Sequence, residues 1–281
     1  MAVTLRRRAH QLRDWLEEVE QDWLGWSLPP ARRALADADF KPDERNAYCG
    51  RCGASIGPGE ATDRGCGSCR DTAVATDGVV RLGPYADQLR DWILAIKYRQ
   101  WAEMADVLGR QLGGALATSN LLKPDRTVVV PMPMPWQRRI YRGIDHARVI
   151  AAAVAADLRV PLLRVLSKAN GRPQVILSPS ERKQQGGRGL HIRRRISRLR
   201  LDGLDVVLVD DVRTTGASLR AATRLLRRLG PRRVVAGVVA VSDDRARRTR
   251  TRDADGASGV PGRAADPTPI PSPASLTPGP G

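Results

Sequence analysis

Aromatic side chains are scarce in this sequence, with one Phe, four Tyr and six Trp among 281 residues. A pocket built from stacked rings is therefore not evident, and Trp101 and Trp136 are more usefully spent in a core. Cysteine is equally sparse, with four in the whole chain. Long apolar runs are missing as well. The longest, from Val149 to Ala156, falls far short of the roughly 20 residues a membrane-crossing helix needs. The opening MAVTLRRRAH runs into DWLEEVE, where a signal peptide would need an unbroken apolar core, so cytoplasmic residence is the expectation. Carboxylates are the minority charge, 30 Asp and Glu against 47 Lys and Arg, for a net charge of +17.

What is present is ordinary globular material. Apolar residues make up 42% and charged residues 27%, which excludes a wholly disordered or collagen-like chain. The length suits one medium core plus a small accessory module. The excess of positive charge favours phosphate-bearing partners, nucleic acid among them. Only five of the basic residues are Lys, however, and with abundant Ala this Arg bias also reads as the codon usage of a GC-rich genome. Two clusters concentrate the charge: 182–200, which holds no acidic residue, and 224–250, where Asp243 and Asp244 are the acids. Solvated helix faces would account for both.

Along the chain, 5–35 has apolar residues at helical spacing until Pro29-Pro30 interrupts them. Residues 48–71 are rich in Gly and Cys and too poor in large apolar groups to bury a core. Val79 to Leu82 reads as a short strand ended by Gly83-Pro84, followed by helical patterns over 85–98 and 102–116. Thr127 to Val130 is a β-branched strand closed by Pro131, and Asp145 can cap a helix from His146 to Leu158. Further strands are expected at 206–209 and 234–241, around a helix from Ala217 to Leu229 that stops at Gly230-Pro231. Apolar strands alternating with helices predict an α/β fold, a parallel sheet with helices on both faces. Beyond Ser242 the composition turns to Pro, Ser, Gly and Thr and cannot repay the entropy of ordering. The predicted organisation is a helical segment at 1–45, a metal ribbon at 46–72, the α/β domain at 78–242 and a disordered tail at 243–281.

Cys49-x2-Cys52 and Cys66-x2-Cys69 use all four cysteines. Each CxxC turns back so that both sulfurs face one cation, and two such turns close a tetrahedral thiolate shell around a structural Zn2+. A pair of disulfides or redox dithiols is the alternative. A cytoplasmic setting and the lack of a thioredoxin-like surround disfavour both.

The most informative stretch is Val206-Val-Leu-Val-Asp210-Asp211-Val212-Arg213-Thr214-Thr215-Gly216-Ala217-Ser218. An apolar strand ends in two carboxylates, and a hydroxyl-rich loop then opens a helix at the sheet edge where ligands bind. The backbone amides of Thr214 to Ser218, the three hydroxyls and the positive helix end make a cradle for a phosphate monoester. Gly216 lets the backbone come close. Asp210 and Asp211, acceptors without donors when ionised, suit a vicinal diol beside that phosphate. A ribose 5-phosphate has both features, whereas a helix cap preceded by two solvated acids is the plain alternative.

This stretch resembles the phosphoribosyl pyrophosphate (PRPP) motif of type I phosphoribosyltransferases. Over 45–241 the chain is similar to the ComF family of competence-associated, phosphoribosyltransferase-like proteins. The resemblance rests on the four cysteines, Gly83-Pro84-Tyr85 to Ile96-Lys97-Tyr98, Val130-Pro131-Met132-Pro133, Arg142-Gly143-Ile144-Asp145-His146, Gln174-x-x-Leu177 leading to Glu181-Arg182, and the Asp210-Asp211 loop. Ile144-Asp145-His146, Gln185 and Ser218 depart from the family's Phe-Asn-Gln, Asn and Thr. The resemblance implies Mg2+ and PRPP as ligands, with an acceptor that the sequence does not name and a link to DNA uptake or processing. A PRPP sensor without turnover, or a DNA-handling protein contacting nucleic acid or a partner, is the other class it allows.

The implied roles follow the family motif. Val212 to Ser218 hold PRPP beside Asp210 and Asp211, Lys168 and Ala169 lie near the pyrophosphate turn, and Gln174 to Arg188 form a mobile loop. Arg172, Arg182 and Lys183 neutralise the pyrophosphate, Arg182 and Lys183 counting with the acid pair as catalytic candidates. Lys97 is a weaker candidate, better accounted for as a surface lysine with its head in water.

Overall fold

The Val-rich runs become neighbouring strands of one sheet, and the helical segments between them cover it. The computed structural model describes residues 28–60, 64–135, 137, 140, 142–169, 189–196 and 198–242. A short helix α1 (Ala31–Asp37) follows Pro30. β1 (Gly78–Pro84) leads into α2 (Asp87–Tyr98) and α3 (Ala102–Ala117), and β2 (Thr127–Pro131) leads into α4 (His146–Leu158). A two-stranded ribbon, β3 (Leu166–Lys168) with β4 (Leu190–Ile192), precedes β5 (Asp205–Arg213), α5 (Ala217–Arg227) and β6 (Arg233–Val241). The sheet order is β1-β6-β5-β2 with every neighbouring pair parallel, while β3 and β4 pair antiparallel. The expected α/β architecture is thus present. No helix among the described residues is long and apolar enough to cross a membrane.

A parallel sheet covered on both faces needs apolar side chains at consecutive positions, and β6 is buried at every position after Arg233. Strand alternation then sorts β5 between two cores. Val207 and Val209 meet Trp92, Ile96, Leu108 and Ile150 from the α2, α3 and α4 layer. Val206 and Leu208 meet Leu219, Ala222 and Leu226 of α5, with Leu166 of the ribbon. α3 and α4 approach closely because Gly109 has no side chain: a Cβ there would stand 2.6 Å from that of Ala153.

The chain leaves β2 and β5 in opposite directions. After α4 it returns outside β2, where Val129 donates to Pro161 and accepts from Leu163; after α5 it returns to β6, on the far side of β5. The crevice beyond the carboxyl ends of β2 and β5 is therefore the point where ligands bind in open α/β sheets.

Some boundaries move for physical reasons. β5 extends past 209 through the acid pair to Arg213, because β6 supplies partners as far as Val241. β1 includes Gly83 and Pro84, the latter at the last paired position, where a missing N–H is tolerated. Three-residue strands such as β3 and β4 carry no readable period. Of the helix predicted over 5–35, residues 5–27 lie outside the described residues, as do the loop from Gln174 to Arg188 and the tail 243–281, while Ala31–Asp37 is helical after Pro30.

The cysteine segment is fastened to the exposed edge of β1. Val79 donates its backbone N–H to Gly50 (2.9 Å), and Leu82 accepts one from Asp43 (2.7 Å). Between them Arg81, 1% exposed, points out of the strand. Its guanidinium donates to Asp43 (2.6 and 3.0 Å), to the Gly53 carbonyl (2.7 Å) and to Ser55 (2.9 Å), and it lies 5.1 Å from the centre of the Tyr48 ring. Gly53, at φ +76°, sits so close that a Cβ would lie 2.9 Å from Val79. Removing one partner of a buried ion pair leaves the other uncompensated. Arg81→Met should therefore lower unfolding free energy by about 3 kcal/mol in a denaturant titration, and a change within error would mean that the contact is idle.

Candidate active site and metal centre

β5 carries Asp210 and Asp211 to the crevice on opposite sides of the strand. Asp210 follows the alternation of Val206 and Leu208, is half-buried, and accepts the backbone N–H of Asp211 at 3.0 Å. Asp211 follows Val207 and Val209 into the other layer, where its Oδ2 lies 2.6 Å from Lys97 Nζ and 3.3 Å from His146 Nε2. Lys97 comes from the last turn of α2 and His146 from the first position of α4. Asp145 caps α4, accepting the Arg148 N–H at 3.3 Å. This placement corrects the expectation for Lys97, whose side chain is only 17% exposed and ion-paired. The signal was present in α2: Lys97 stands four residues after the buried Ile93 and next to the buried Ile96, on the flank that faces inward. The contact of His146 with Asp211 had no such local signal.

The segment from Arg142 to His146 lies across the end of α2. Arg142 sits 5.6 Å from the centre of the Tyr98 ring, and Gly143, at φ +70°, is so close to Gln100 that a Cβ would overlap its amide. Three stretches that are distant in sequence thus meet at one carboxylate.

Their electrostatics divide the two acids. For Asp211, burial alone would raise the pKa, but the charge of Lys97 beside it outweighs burial and holds the group below the usual carboxylate range. Asp210 is pushed well above that range by burial first, then by the charge of Asp211. His146 is lowered, chiefly by burial, with Lys97 and Arg142 adding to it against the pull of Asp211. A neutral imidazole facing a carboxylate carries its proton on Nε2; Nδ1 is buried without a hydrogen-bond partner among the described residues. Adjacent carboxylates in unlike environments are a recurrent property of functional sites.

The loop after β5 begins α5 at Gly216, whose φ of +69° favours glycine. A Cβ there would come within 3.2 Å of the Arg213 guanidinium and 3.4 Å of that of Arg220. Arg220 also donates to the Thr215 carbonyl at 2.8 Å, and the Ala217 N–H is taken by the Thr215 hydroxyl at 3.4 Å. Thr214 and Thr215 are exposed, Ser218 is half-buried, and Val212 packs against the α2, α3 and α4 layer. Two guanidinium groups therefore flank the loop. Sequence reasoning singled out Arg213 and passed over Arg220, one turn into the helix.

Lys168 ends β3 and borders a cavity of about 180 Å³ with Met132, Asp145, Arg148, Arg164 and Arg193. The Ala169 N–H is spent on the Gly189 carbonyl at 2.9 Å. Arg172, Arg182 and Lys183 lie outside the described residues.

The four cysteines form the expected cluster. Their sulfurs are buried, lie within 4.8 Å of one another and form no disulfide. Cys49 and Cys69 are 3.8 Å apart, Cys52 and Cys66 3.6 Å, Cys66 and Cys69 4.0 Å. A tetrahedral Zn2+ with bonds of about 2.3 Å would set such edges at about 3.8 Å, so the residues present could hold that ion. Burial pushes the thiols of Cys52 and Cys69 up, whereas at Cys49 amide donors outweigh burial and bring the thiol down to about 7.

The parallel sheet, with an acid pair and a glycine-turned loop at its carboxyl edge, is that of the phosphoribosyltransferase class. Residues 144–260 match the phosphoribosyl transferase domain. The chain is 27% identical over 210 residues to Competence protein F of Haemophilus influenzae, covering 73% of this chain and 89% of that one. It is 30% identical over 192 residues to the DNA utilization protein YhgH of Escherichia coli (strain K12), covering 65% and 78%. TT1426 from Thermus thermophilus, a solved structure, is 28% identical over 53% of this chain and 79% of its own, with a TM-score of 0.32. The chain belongs to the ComF family of phosphoribosyltransferase-like proteins.

Two measurements follow from these centres. Elemental analysis should find one zinc per chain, lost in Cys66→Ser together with a drop in melting temperature; a metal-free protein of unchanged stability would refute the metal reading. His146 is held neutral in the fold but protonates below about pH 6.5 when unfolded, so its contribution is complete above that value and is lost as pH falls. The ionised Asp211 acts in the same direction at lower pH. Urea unfolding should accordingly show the wild type losing more stability between about pH 7 and pH 5 than His146→Gln, and parallel curves would contradict this.

Proposed function

We propose that the protein binds PRPP at the carboxyl edge of β5 and transfers its phosphoribosyl group to an acceptor. The observation that carries this reading is the placement of a half-buried Asp210 on the strand that leads into the Gly216 turn, with Arg213 and Arg220 flanking that turn. A carboxylate that accepts from a diol and a cationic, amide-lined turn for the esterified end match the two ends of a ribose 5-phosphate.

In the proposed reaction the bond from the anomeric carbon to pyrophosphate breaks, that carbon bonds to the acceptor, and the acceptor loses a proton. The loop residues Thr214 to Ser218 anchor the 5-phosphate, so that the ring is held while positive charge develops on it. Asp210 holds the sugar hydroxyls and, when ionised, opposes that charge. Asp211 keeps the edge in place through Lys97 and His146. Mg2+ fits a donor set of one available carboxylate, Asp210, with the ligand's own phosphate and hydroxyl oxygens, and it would supply charge neutralisation of the diphosphate. Lys168 and the stretch containing Arg172, Arg182 and Lys183 are assigned to the pyrophosphate side. The four cysteines are assigned to structural Zn2+, in a module at 46–72 beside the catalytic domain at 78–242.

Competence protein F and the DNA utilization protein carry names that concern DNA uptake and use, and a role in that setting, with nucleic acid or its handling machinery as partner and the cytoplasm as compartment, is proposed for this chain too. A PRPP sensor without turnover is the second reading. It is favoured by the commitment of Asp211 to Lys97 and His146, which withdraws one carboxylate from the ligand.

Titration calorimetry with PRPP and Mg2+ tests the first step: the wild type should bind, and Asp210→Asn should bind about tenfold or more weakly. Pyrophosphate release across a panel of nucleobases then separates transfer from sensing. Binding without release under any acceptor leaves the sensor, and absence of binding overturns both.

A further inference from the structure

Lys97 reaches further into this site than its place in the last turn of α2 requires. A lysine in the last turn of a helix is adequately served by solvent and by the negative helix end. Here the side chain leaves that environment, crosses to β5 and ends 2.6 Å from Asp211 in a setting where both side chains are less than one-fifth exposed. As a stabilising device such a pair is poor, since desolvation of the two ions offsets most of their attraction. As a functional device it has a clear use. Two adjacent carboxylates would repel a ligand with several negative charges, and an ammonium against one of them removes part of that repulsion.

Direction matters as much as charge. The Gly216 turn belongs to α5, on the side of the sheet where Val206 and Leu208 point; Lys97 and Arg142 approach from the opposite side, with α2 and α4. The crevice thus has cations toward both layers, Arg213 and Arg220 at the Gly216 turn and Lys97 beside Asp211, so a ligand with anionic groups at both ends can span it. Among the described residues one carboxylate oxygen lies against Lys97, whose ammonium carries three donors. His146 Nε2, 3.3 Å from the same oxygen, keeps Asp211 partnered when Lys97 is shared.

We infer that Lys97 is a ligand-binding residue that shares its ammonium between Asp211 and the diphosphate of PRPP, and so selects the activated sugar over ribose 5-phosphate. This rests on the PRPP reading above.

The test compares two ligands on the full chain, PRPP with Mg2+ and ribose 5-phosphate, by titration calorimetry with wild type, Lys97→Met and Lys97→Arg. Lys97→Met should weaken PRPP by about tenfold or more beyond any loss it causes for ribose 5-phosphate, and Lys97→Arg should recover part of that difference. Equal losses for both ligands would make Lys97 a holder of Asp211 only and overturn the inference; so would no loss for either. Because Lys97→Met strands a buried carboxylate, the double variant Lys97→Met/Asp211→Asn removes both charges and should still discriminate against PRPP alone. If the wild type binds neither ligand, the PRPP reading itself fails, a result distinct from a lysine that does not discriminate.

Discussion

A carboxylate that leaves water must find a cation, and at Asp211 this requirement organises the binding edge. The side chain lies in the apolar layer between the sheet and its helices, where an uncompensated charge would cost several kcal/mol. Lys97 supplies that charge from α2, and the neutral imidazole of His146 stands beside the same oxygen from α4. Because each of these groups sits at a helix end, gathering them at one oxygen fixes where two helices stop relative to the tip of β5. The packing of Ile96, Ile150 and Val209 sets the layer spacing, and the ion pair sets the register along the strand. Local chemistry at one atom thereby positions the crevice walls.

The same constraint gives neighbouring aspartates different characters. Asp211 is held ionised by its partners, and that fixed charge, with burial, raises the proton affinity of Asp210. Strand alternation is the root cause, since it turns consecutive side chains into two separate layers. A net charge of +17 gives the molecule a long-range attraction for anions, but the selectivity proposed for it lies in a few groups around this one edge: Asp210, Lys97, Arg213 and Arg220.

How much of this was legible in the sequence depends on the range of the cause. Val206 to Val209 and Val234 to Val241 declare strands because burial on both faces demands an unbroken apolar run, and Asp145 declares a helix start because a cap is a local hydrogen bond. The four cysteines declare a cluster through spacing alone. Lys97 and Arg81 read as ordinary polar residues, since the groups that hold them are 114 and 38 positions away (Asp211 and Asp43). No window of local sequence contains such a pairing. The β3–β4 ribbon escaped for the opposite reason: three residues are too few to show any period, and its stability comes from packing Leu166 and Ile192 against the α5 layer.

The fastening of the cysteine module to β1 has a bearing on how the molecule behaves among its own copies. β1 is a terminal strand of Val and Leu with hydrogen-bonding groups turned outward, the kind of border along which chains recruit one another into extended β assemblies. Asp43 and Gly50 occupy those groups, and Arg81 locks the covering segment in place. The cysteine cluster thus works as a selvedge: while its sulfurs stay gathered the sheet is finished on that side, and a segment that let go of β1 would leave a ready template for self-association.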